Sequence, residues 1–430
     1  MQMLRDALVP PTAEPAFASA ERDGVRYLAA QWTPESLARL VSSLRSAGEV
    51  PDLLAAWSDT VEAFLDPGSL ERRELAPALA RLCRLSPQGL AAGLEAVLGG
   101  VRGEAAAALF AEARALTAAA GPVLVVLASN LPALAVQPLL PALALKRPVL
   151  LKSPSTEPLF ASAFLAALVR REPRLAGSVA AAVWPGGDER LEAPVLAGVD
   201  TVIAYGEEKA LADLDRRTPG RVVGYGPKTS LAVVGADADL EETVGGIGRD
   251  VALFDQRGCL SIAAVYTAGD AEALAGRLAK ELKALSDRWP PGSLDAAAAV
   301  QQVRIEAEMR GLFQPPLPLR AGTVLVDPQP AFRPTPGLRT VRIHPLDLDE
   351  LPDLLAPWVG RLQGAALAGG EAWHLAPRLA ELGVSRFAPP GELQSPDAAW
   401  HNGGVHPLAA LGAQPSGISR PFQEASRPRR

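Results

Sequence analysis

The segment Phe254–Ser261, with the sequence F-D-Q-R-G-C-L-S, contains Cys259, one of two cysteines in 430 residues. A deprotonated cysteine is a strong nucleophile, because the thiolate and not the thiol attacks a carbonyl carbon. Upstream lie Ala128–Pro132, whose Asn130 carries an amide, and Val149–Lys152, a strand-like run that ends in a cation. In this order, the amide, the cation and the cysteine could complete a thiol active site.

The second cysteine, Cys83, lies in a helical pattern, and we predict that it is a small buried hydrophobic residue. Cys259 is therefore the candidate nucleophile. A free cysteine has a pKa of about 8.5, so the thiol needs activation at neutral pH. We expect Arg257 and nearby backbone N–H groups to lower its pKa.

The histidines do not predict a metal site. His401 and His406 have a spacing that zinc sites use, but no cysteine pair or acidic partner precedes them at a matching interval. We predict structural or surface roles for them and no bound metal.

Composition excludes several classes of protein. A hydrophobic content of 48% with 21% charged residues is typical of a soluble globular protein, and 430 residues predict two or three domains. The net charge of −6 argues against a nucleic-acid-binding surface. Two cysteines form no disulfide framework, and the N-terminus has no apolar run typical of a signal peptide. These features predict a protein of the reducing cytoplasm.

The stretch Pro122–Leu145 is apolar enough to raise the question of a membrane span. Its interior prolines would break a spanning helix, and Asn130 and Gln137 are polar. We predict a buried strand, a turn and a short helix here, and no membrane span.

The hydrophobic pattern predicts an α/β fold. Helical spacing dominates residues 34–120, beginning with Thr33 as an N-cap and Pro34 at the first helical position. From residue 121, short apolar strands alternate with helices, which indicates a parallel sheet covered on both faces. Residues 289–336 are rich in proline and are predicted to be largely irregular.

The predicted organisation has four parts. They are a helical N-terminal region (1–117), a nucleotide-binding domain (118–227), a catalytic α/β domain (228–395) and a partly disordered C-terminal segment (396–430).

The motifs, taken together and in order, resemble those of the aldehyde dehydrogenase superfamily. Five weak matches in the right order are more specific than any one of them. They are Asn130–Pro132 for N-F-P, Pro141–Ala144 with Val149–Ser155 for PALA…VVLKPSE, Tyr205–Glu207 for TGS, Gly226–Thr229 for the end of ELGGKS, and Asp255–Cys259 for NQGQxC.

Within that superfamily, the chain most resembles the long-chain acyl-CoA reductases of the bacterial bioluminescence type. The signs are the D-Q-x-x-C loop before Cys259 and the closing segments Val384–Glu392 and Trp400–Gly404. The resemblance implies an aldehyde-dehydrogenase-like fold, with a Rossmann-type cofactor-binding domain and an α/β catalytic domain.

The resemblance also implies catalytic roles. Cys259 would carry the acyl group, and the amide of Asn130 and the backbone N–H of Cys259 would stabilise the oxyanion. Asn130 before a Leu-Pro pair could instead be a turn residue. Gly224 stands where hydrolytic relatives have the glutamate that activates water, so the acyl-enzyme should be long-lived in water.

For the cofactor, the resemblance assigns binding to Lys152, Ser155, Gly206 and Ser129. Gly206 could also be only a turn glycine. Ser155 stands where NAD-preferring relatives have a glutamate that repels a 2′-phosphate. We therefore expect NADPH to be accepted at least as well as NADH.

These expectations predict NAD(P)H-dependent reduction of an acyl thioester, from acyl-CoA or an acyl-carrier protein, to an aldehyde. One alternative is a hydrolytic NAD(P)-dependent aldehyde dehydrogenase, which Gly224 disfavours. The other is a non-catalytic acyl-transfer or scaffold homologue, which the unusual Glu207 leaves open. A homodimer and an acyl-donor partner protein are further expectations.

Overall fold

The structure is a computed structural model. It describes residues 3–45, 50, 53–119, 121–129, 131–294, 296–311, 322–329, 331–333, 335 and 337–415. The predicted oxyanion donor Asn130 lies outside the described residues, as do residues 416–430 of the C-terminal segment (396–430) predicted to be partly disordered.

The N-terminal part is a β-hairpin followed by a group of helices. In chain order its elements are β1 (Ala16–Arg22), β2 (Val25–Gln31), α1 (Pro34–Ser43), α2 (Leu53–Leu65), α3 (Leu70–Leu82), α4 (Pro87–Gly99), α5 (Gly103–Ala113) and β3 (Leu116–Thr117). The predicted start of α1 is confirmed, because Thr33 Oγ1 accepts the Ser36 N–H at 3.2 Å and Ser36 Oγ accepts the Thr33 N–H at 2.9 Å. This reciprocal capping box fixes the first turn.

The hairpin was not predicted. It turns at Asp23 and Gly24, whose φ angles of 47° and 72° are both left-handed, as a type I′ turn requires. Region 1–117 is therefore helical mainly from Pro34 onward, and an antiparallel pair of strands precedes the helices.

A five-stranded parallel sheet follows. Its elements are β4 (Val123–Val126), α6 (Val136–Ala144), β5 (Val149–Lys152), α7 (Phe160–Arg171), β6 (Val179–Ala182), α8 (Glu189–Ala197), β7 (Thr201–Tyr205), α9 (Glu208–Arg217) and β8 (Arg221–Tyr225). The strand order is β6-β5-β4-β7-β8. Helices cover both faces, since Val125 packs into the core with α7 while Leu124 packs with α1 and α8. The predicted doubly covered parallel sheet is confirmed.

The second half contains a six-stranded parallel sheet with the order β11-β12-β10-β9-β13-β14. Its elements are β9 (Thr229–Val234), α10 (Leu240–Ala252), β10 (Ile262–Thr267), α11 (Ala271–Arg288), α12 (Ala296–Gly311), β11 (Thr323–Val326), β12 (Thr340–Pro345), α13 (Leu351–Leu355), β13 (Leu362–Ala368), α14 (Gly370–Trp373), α15 (Ala376–Glu381) and β14 (Arg386–Ala388). The prediction of largely irregular structure for 289–336 was wrong at α12 and β11. Throughout the described ranges, no helix has both the length and the apolar character to cross a membrane.

The last described segment returns to the half of the protein that contains the five-stranded sheet and packs against α6. It forms α16 (Pro407–Ala410) and β15 (Gln414–Pro415), which pairs antiparallel with β3. The buried guanidinium of Arg147 fastens it, because Nη1 donates to the Leu411 carbonyl at 2.9 Å while Nη2 donates to the Gly121 carbonyl at 2.8 Å. The segment between β14 and α16 therefore crosses from one sheet to the other.

Candidate active site

One cavity collects the predicted site residues that the structure describes. Its volume is about 640 Å³, and loops from both sheets line it. The predicted residues in its wall are Ser129, Lys152, Ser155, Gly206 and Cys259. Asn130 is not described, but its neighbours Ser129 and Leu131 both line the cavity.

The sheet topology explains this convergence. Strand β4 lies in the middle of the sheet. The chain first adds β5 and β6 on one side of it and then crosses over to add β7 and β8 on the other side. In open parallel sheets, ligands bind in the crevice at the carboxyl ends of strands where this reversal occurs. Ser129 follows β4, Lys152 ends β5 and Gly206 follows β7, so all three lie at that crevice.

Cys259 enters the cavity from the opposite side, on the loop between α10 and β10. Three consecutive non-glycine residues before it, Phe254, Asp255 and Gln256, have left-handed φ angles of 56°, 51° and 63°. Such a backbone persists only where surrounding contacts impose it. The Gln256 amide does so by donating to the carbonyls of Ile262 and Thr340, at 2.7 and 2.6 Å.

A second network of hydrogen bonds holds the loop at Gly258 and Ser261, on either side of Cys259. The Gly258 N–H donates to Ser261 Oγ at 3.1 Å, and that hydroxyl donates to Gln394 Oε1 at 3.1 Å. The Gln394 N–H in turn donates to the buried Asp250 carboxylate at 3.3 Å. Burial raises the pKa of Asp250 to about 6, although backbone N–H groups of the 391–394 segment oppose the shift.

The surroundings of Cys259 differ from the expectation about Arg257. Burial raises the pKa of the Cys259 thiol to about 11, while the backbone N–H groups of Cys259 and Leu260 and the cation of Lys228 lower it. The Arg257 guanidinium instead donates to the carbonyls of Phe254 and Cys83, at 3.0 and 2.7 Å. The cation that faces the thiol is therefore Lys228.

The other cysteine behaves as predicted. Cys83 is buried at the end of α3, and burial raises the pKa of its thiol far above the ordinary range. Such a thiol is inert at neutral pH.

The cofactor side of the cavity contains a buried cation. Lys152 is 7% exposed, and its ammonium lies 5.3 Å from the ring centre of Trp184. Burial lowers the pKa of Lys152, with a smaller opposing effect from Glu192. A largely desolvated cation at the crevice suits a negatively charged or polar ligand group.

Other features of this wall fit a dinucleotide cofactor. A Cβ placed on Gly206 would meet no heavy atom within 4 Å, so the backbone there is open to close approach. Elsewhere in the lining, two buried donors, Gln137 Nε2 and Trp400 Nε1, have no hydrogen-bond acceptor among the described residues. Buried donors are normally satisfied, so a bound polar ligand would supply the missing acceptors.

Carboxylates are scarce in the cavity. Among the described residues lining it, Glu207 is the single acidic side chain, and it is exposed at the N-cap of α9. Gly224 does not line the cavity, and a Cβ there would lie 3.2 Å from Leu211 Cδ1 of α9. Asp255 is also engaged elsewhere, in an ion pair with Arg339.

Several wall residues were missed by sequence reasoning. Gln363 reaches the cavity from strand β13, and Gln394, Trp400 and Asn402 reach it from the crossing segment. Trp400 and Asn402 belong to a motif that the sequence had marked as a family feature, but its place in the cavity wall had no sequence signal.

The histidines form no metal centre in the described residues, where no group of three potential ligands comes together. The rings of His401 and His406 meet edge to face at 5.0 Å. His406 Nδ1 accepts the Leu408 N–H at 3.3 Å, and Nε2 lies 3.4 Å from the Glu112 carboxylate. Both ring nitrogens of His406 are therefore in use.

Solved structures of aldehyde dehydrogenases share this fold. A mutant of the P. syringae indole-3-acetaldehyde dehydrogenase in complex with NAD+ matches with a TM-score of 0.71 and 18% identity, over 96% of each chain. A salicylaldehyde dehydrogenase from Pseudomonas putida G7 matches with a TM-score of 0.70 and 13% identity, over 98% of this chain and all of that one. At such identities the likeness shows the fold alone, an aldehyde dehydrogenase fold with a Rossmann-type domain.

The particular family follows from the sequence match. Residues 79–413 match the family model described as acyl-CoA reductase (LuxC), and the chain belongs to this family. It is 28% identical to the long-chain acyl-protein thioester reductase of Aliivibrio fischeri over 62% of this chain and 57% of the relative. It is 27% identical to the enzyme of the same name from Vibrio harveyi, over 43% of this chain and 41% of that relative. The chain thus spans about half the length of the curated relatives that it matches.

Proposed function

We propose that this protein reduces an acyl thioester to an aldehyde, with NADPH as hydride donor and NADH as a second usable cofactor, through an acyl group carried on Cys259. The observation that carries the proposal is the shared cavity. In it, a cysteine loop from the six-stranded sheet faces the carboxyl ends of strands in a five-stranded nucleotide-binding sheet.

Acylation needs a thiolate and a stabilised oxyanion. Lys228 and the N–H groups of Cys259 and Leu260 favour the charged sulfur. Sulfur attacks the thioester carbonyl, and the resulting oxyanion requires hydrogen-bond donors, of which each is typically worth about 2.7–4 kcal/mol. We assign this role to the Cys259 N–H and, from the sequence, to the Asn130 amide.

The cofactor would lie against Lys152, Ser155, Gly206 and Ser129. When bound, a reduced nicotinamide cofactor supplies the hydride that the acyl carbon takes up. Lys152 and Ser155 would contact its adenosine ribose, and Gly206 would allow its phosphates to approach the backbone. The thiohemiacetal left on Cys259 then releases the aldehyde and returns the thiolate.

A reductase is favoured over a hydrolytic aldehyde dehydrogenase because, among the described residues that line the cavity, no carboxylate lies against the thiol. Glu207, the single acid among the described lining residues, is exposed on the cofactor side. Without a base to activate water, the acyl-enzyme persists until it is reduced or transferred to a thiol. A non-catalytic scaffold is disfavoured, since a scaffold needs no thiol facing Lys228.

The substrate class follows from the relatives. Those in A. fischeri and V. harveyi are named for acyl-protein thioesters, and the family for acyl-CoA. We propose that either thioester acylates Cys259, with an acyl-donor partner protein for the first. We also propose a homodimer and a location in the reducing cytoplasm, where Cys259 stays a free thiol.

The test is mass spectrometry of intact protein incubated with a panel of acyl-CoAs without cofactor. We expect a mass increase of one acyl group, retained in Cys83→Ala and lost in Cys259→Ala. Adding NADPH should then remove the acyl group and yield the matching aldehyde. Full acylation of the Cys259→Ala protein would show that the proposed nucleophile is wrong.

A further inference from the structure

The turn between β6 and α8 lies next to the cation of the proposed cofactor site. Strand β6 pairs in parallel with β5, and the Ser153 N–H extends this pairing by donating to the Ala182 carbonyl at 3.0 Å. Two residues further along, the ring centre of Trp184 lies 5.3 Å from the Lys152 ammonium. Gly186 then lines the cavity. The turn therefore belongs to the same wall of the cavity as Lys152.

The turn has a backbone that few residues adopt. Gly187 has a φ angle of 79°, in the left-handed region that favours glycine. A Cβ at Gly186 would meet no heavy atom within 4 Å, so a ligand can approach the backbone there. Both glycines are exposed. Because glycine loses the most conformational freedom on ordering, a contact from outside the turn is needed to hold it in one conformation.

That contact comes from Glu192, a buried residue of α8. The Gly187 N–H donates to Glu192 Oε1 at 3.3 Å, and Arg217 Nη2 donates to Glu192 Oε2 at 2.7 Å. Arg217 ends α9, and its Nε also donates to the Asp213 carboxylate at 2.7 Å. The Glu192 side chain is 9% exposed and that of Arg217 is 14% exposed. Both oxygens of the carboxylate are therefore held, one of them by the turn.

The ion pair explains why a carboxylate is tolerated in this buried place. A buried charge is costly unless it is paired, and Arg217 supplies the partner. Among the described residues that line the cavity, neither Glu192 nor Arg217 appears. Glu192 therefore contacts the cofactor wall from behind, through the Gly187 N–H.

We propose that Glu192 is a positioning residue for the cofactor, which holds the Gly186–Gly187 turn in place to receive the adenosine part of NADPH or NADH. Arg217 in turn holds the Glu192 carboxylate. The inference rests on the proposed function for the place of the cofactor, because Lys152, beside the turn, is assigned there to the adenosine ribose. It adds a residue outside the cavity to those that determine the affinity for the cofactor.

The test is the dissociation constant of NADPH for the whole chain without thioester, measured by isothermal titration calorimetry. Glu192→Leu removes the acceptor of the Gly187 N–H, and we expect the Kd to rise about 5- to 10-fold, the factor that one hydrogen bond contributes. Glu192→Gln retains an oxygen that can accept the same N–H, so its Kd should stay within about 2-fold of the wild type. Glu189→Leu, at an exposed acid three residues earlier on α8, is the control and should leave the Kd unchanged.

The two variants at position 192 separate the turn from the ion pair. Equal losses of affinity in Glu192→Leu and Glu192→Gln would show that only the pair with Arg217 matters, and would overturn the inference. Wild-type affinity in Glu192→Leu would overturn it as well. If Glu192→Leu does not fold, Glu192→Asp keeps the charge but withdraws the carboxylate from Gly187 by one methylene. Its Kd should rise about 3- to 5-fold, and a wild-type value would overturn the inference.

Adenosine 2′,5′-bisphosphate, which lacks the nicotinamide half of NADPH, tests which half of the cofactor the turn receives. Its Kd should rise in Glu192→Leu by the same factor as that of NADPH, and an unchanged value would overturn the assignment to the adenosine part. These measurements need no thioester. A wild-type protein that shows this binding pattern but takes up no acyl group on Cys259 would therefore refute the proposed function and leave the role of Glu192 standing.

Discussion

The guanidinium of Arg339 lies 2.8 Å from the Asp255 carboxylate, four residues before the cysteine of the proposed site. The Arg339 side chain is 2% exposed, and it also donates to the Trp289 carbonyl at 2.9 Å. This buried ion pair fastens the left-handed backbone of the cysteine loop to the start of β12. It also removes Asp255 as a base that could activate water.

Removing one partner of this pair should cost much of the stability of the protein. Arg339→Ala leaves the Asp255 charge uncompensated, and we expect the free energy of unfolding to fall by about 3–5 kcal/mol. Urea denaturation measures this value. Arg26→Ala is the control, because its pair with Glu21 is exposed at the surface and such pairs are worth about 0–1 kcal/mol. Equal losses in both variants would contradict the assigned role of Arg339.

Cofactor choice is the second prediction. Ser155 is exposed at the cavity wall and brings no charge that would repel a 2′-phosphate. We expect kcat/KM with NADPH to equal or exceed the value with NADH. Ser155→Glu should raise the KM for NADPH about 10-fold and leave the KM for NADH nearly unchanged. A clear preference of the wild type for NADH would refute this prediction.

Glu207 provides a third prediction. It lies at the N-cap of α9, where the free N–H groups of a helix favour anions, and it lines the cavity on the cofactor side. Its carboxylate should repel the cofactor phosphates, so Glu207→Gln should lower the KM for NADPH about 2- to 5-fold at low salt, and less at high salt. Glu208→Gln removes the same charge one residue later, outside the cavity lining, and serves as the control. An equal fall in the KM for NADPH in both variants would show that the effect comes from net charge and not from the position of Glu207.

The fourth prediction concerns pH and stability. Glu157 is buried, and burial raises the pKa of its carboxyl from 4.5 to about 7, although it accepts the N–H groups of Leu159 and Phe160 at 2.9 and 2.8 Å. Folding therefore takes up a proton between these two pH values. The resulting stabilisation is complete below the lower value and is lost as pH rises through the higher one.

Glu157→Gln has no charge to bury and should escape that loss. Its stability relative to the wild type should rise between pH 5 and pH 8 by about 1–3 kcal/mol, whatever constant cost the amide brings. Thermal unfolding at several pH values measures the difference. A difference that does not change with pH would mean that Glu157 does not titrate in this range.

Hydrolysis of the acyl-enzyme is the fifth prediction. A general base typically contributes about 10²–10⁴-fold, so free acid should form slowly from acyl-CoA without cofactor. The side chain in Gly224→Glu would face Leu211 of α9 and not Cys259, so this variant should hydrolyse no faster. Rapid release of free acid by the wild type would show that a base is present, and an increase in Gly224→Glu would show that position 224 reaches the thiol.

The sequence predicted the nucleotide-binding half well, because its strands are short, uniformly apolar and separated by helices. The hairpin was overlooked, although Asp23-Gly24 is a strong turn signal, because β1 is mostly exposed and lacks a clear apolar alternation. Helix α12 was overlooked because prolines on both sides of an alanine-rich run suggested irregular structure.

Only those residues of the site that lie in a recognisable motif could be predicted from the sequence. The order of Lys152, Gly206 and Cys259 along the chain could be read, and the fold brings them to one cavity. The side of β8 on which Gly224 lies could not be read, because one residue of register reverses the direction of a side chain. Gln363 had no signal, and although Asn402 belongs to a marked motif, the sequence did not indicate that these two side chains meet across 39 residues of chain.

The crossing segment has a consequence for the newly made protein. Both sheets are complete once β14 has left the ribosome, but Gln394, Trp400 and Asn402 follow it in the chain. Arg147 can fasten Leu411 only later still. Domains fold as they emerge during synthesis, so a nascent chain holds Cys259 on a formed loop before the far wall of the cavity exists. During that interval its thiol is open to the solvent, and closure over it is among the last events of folding.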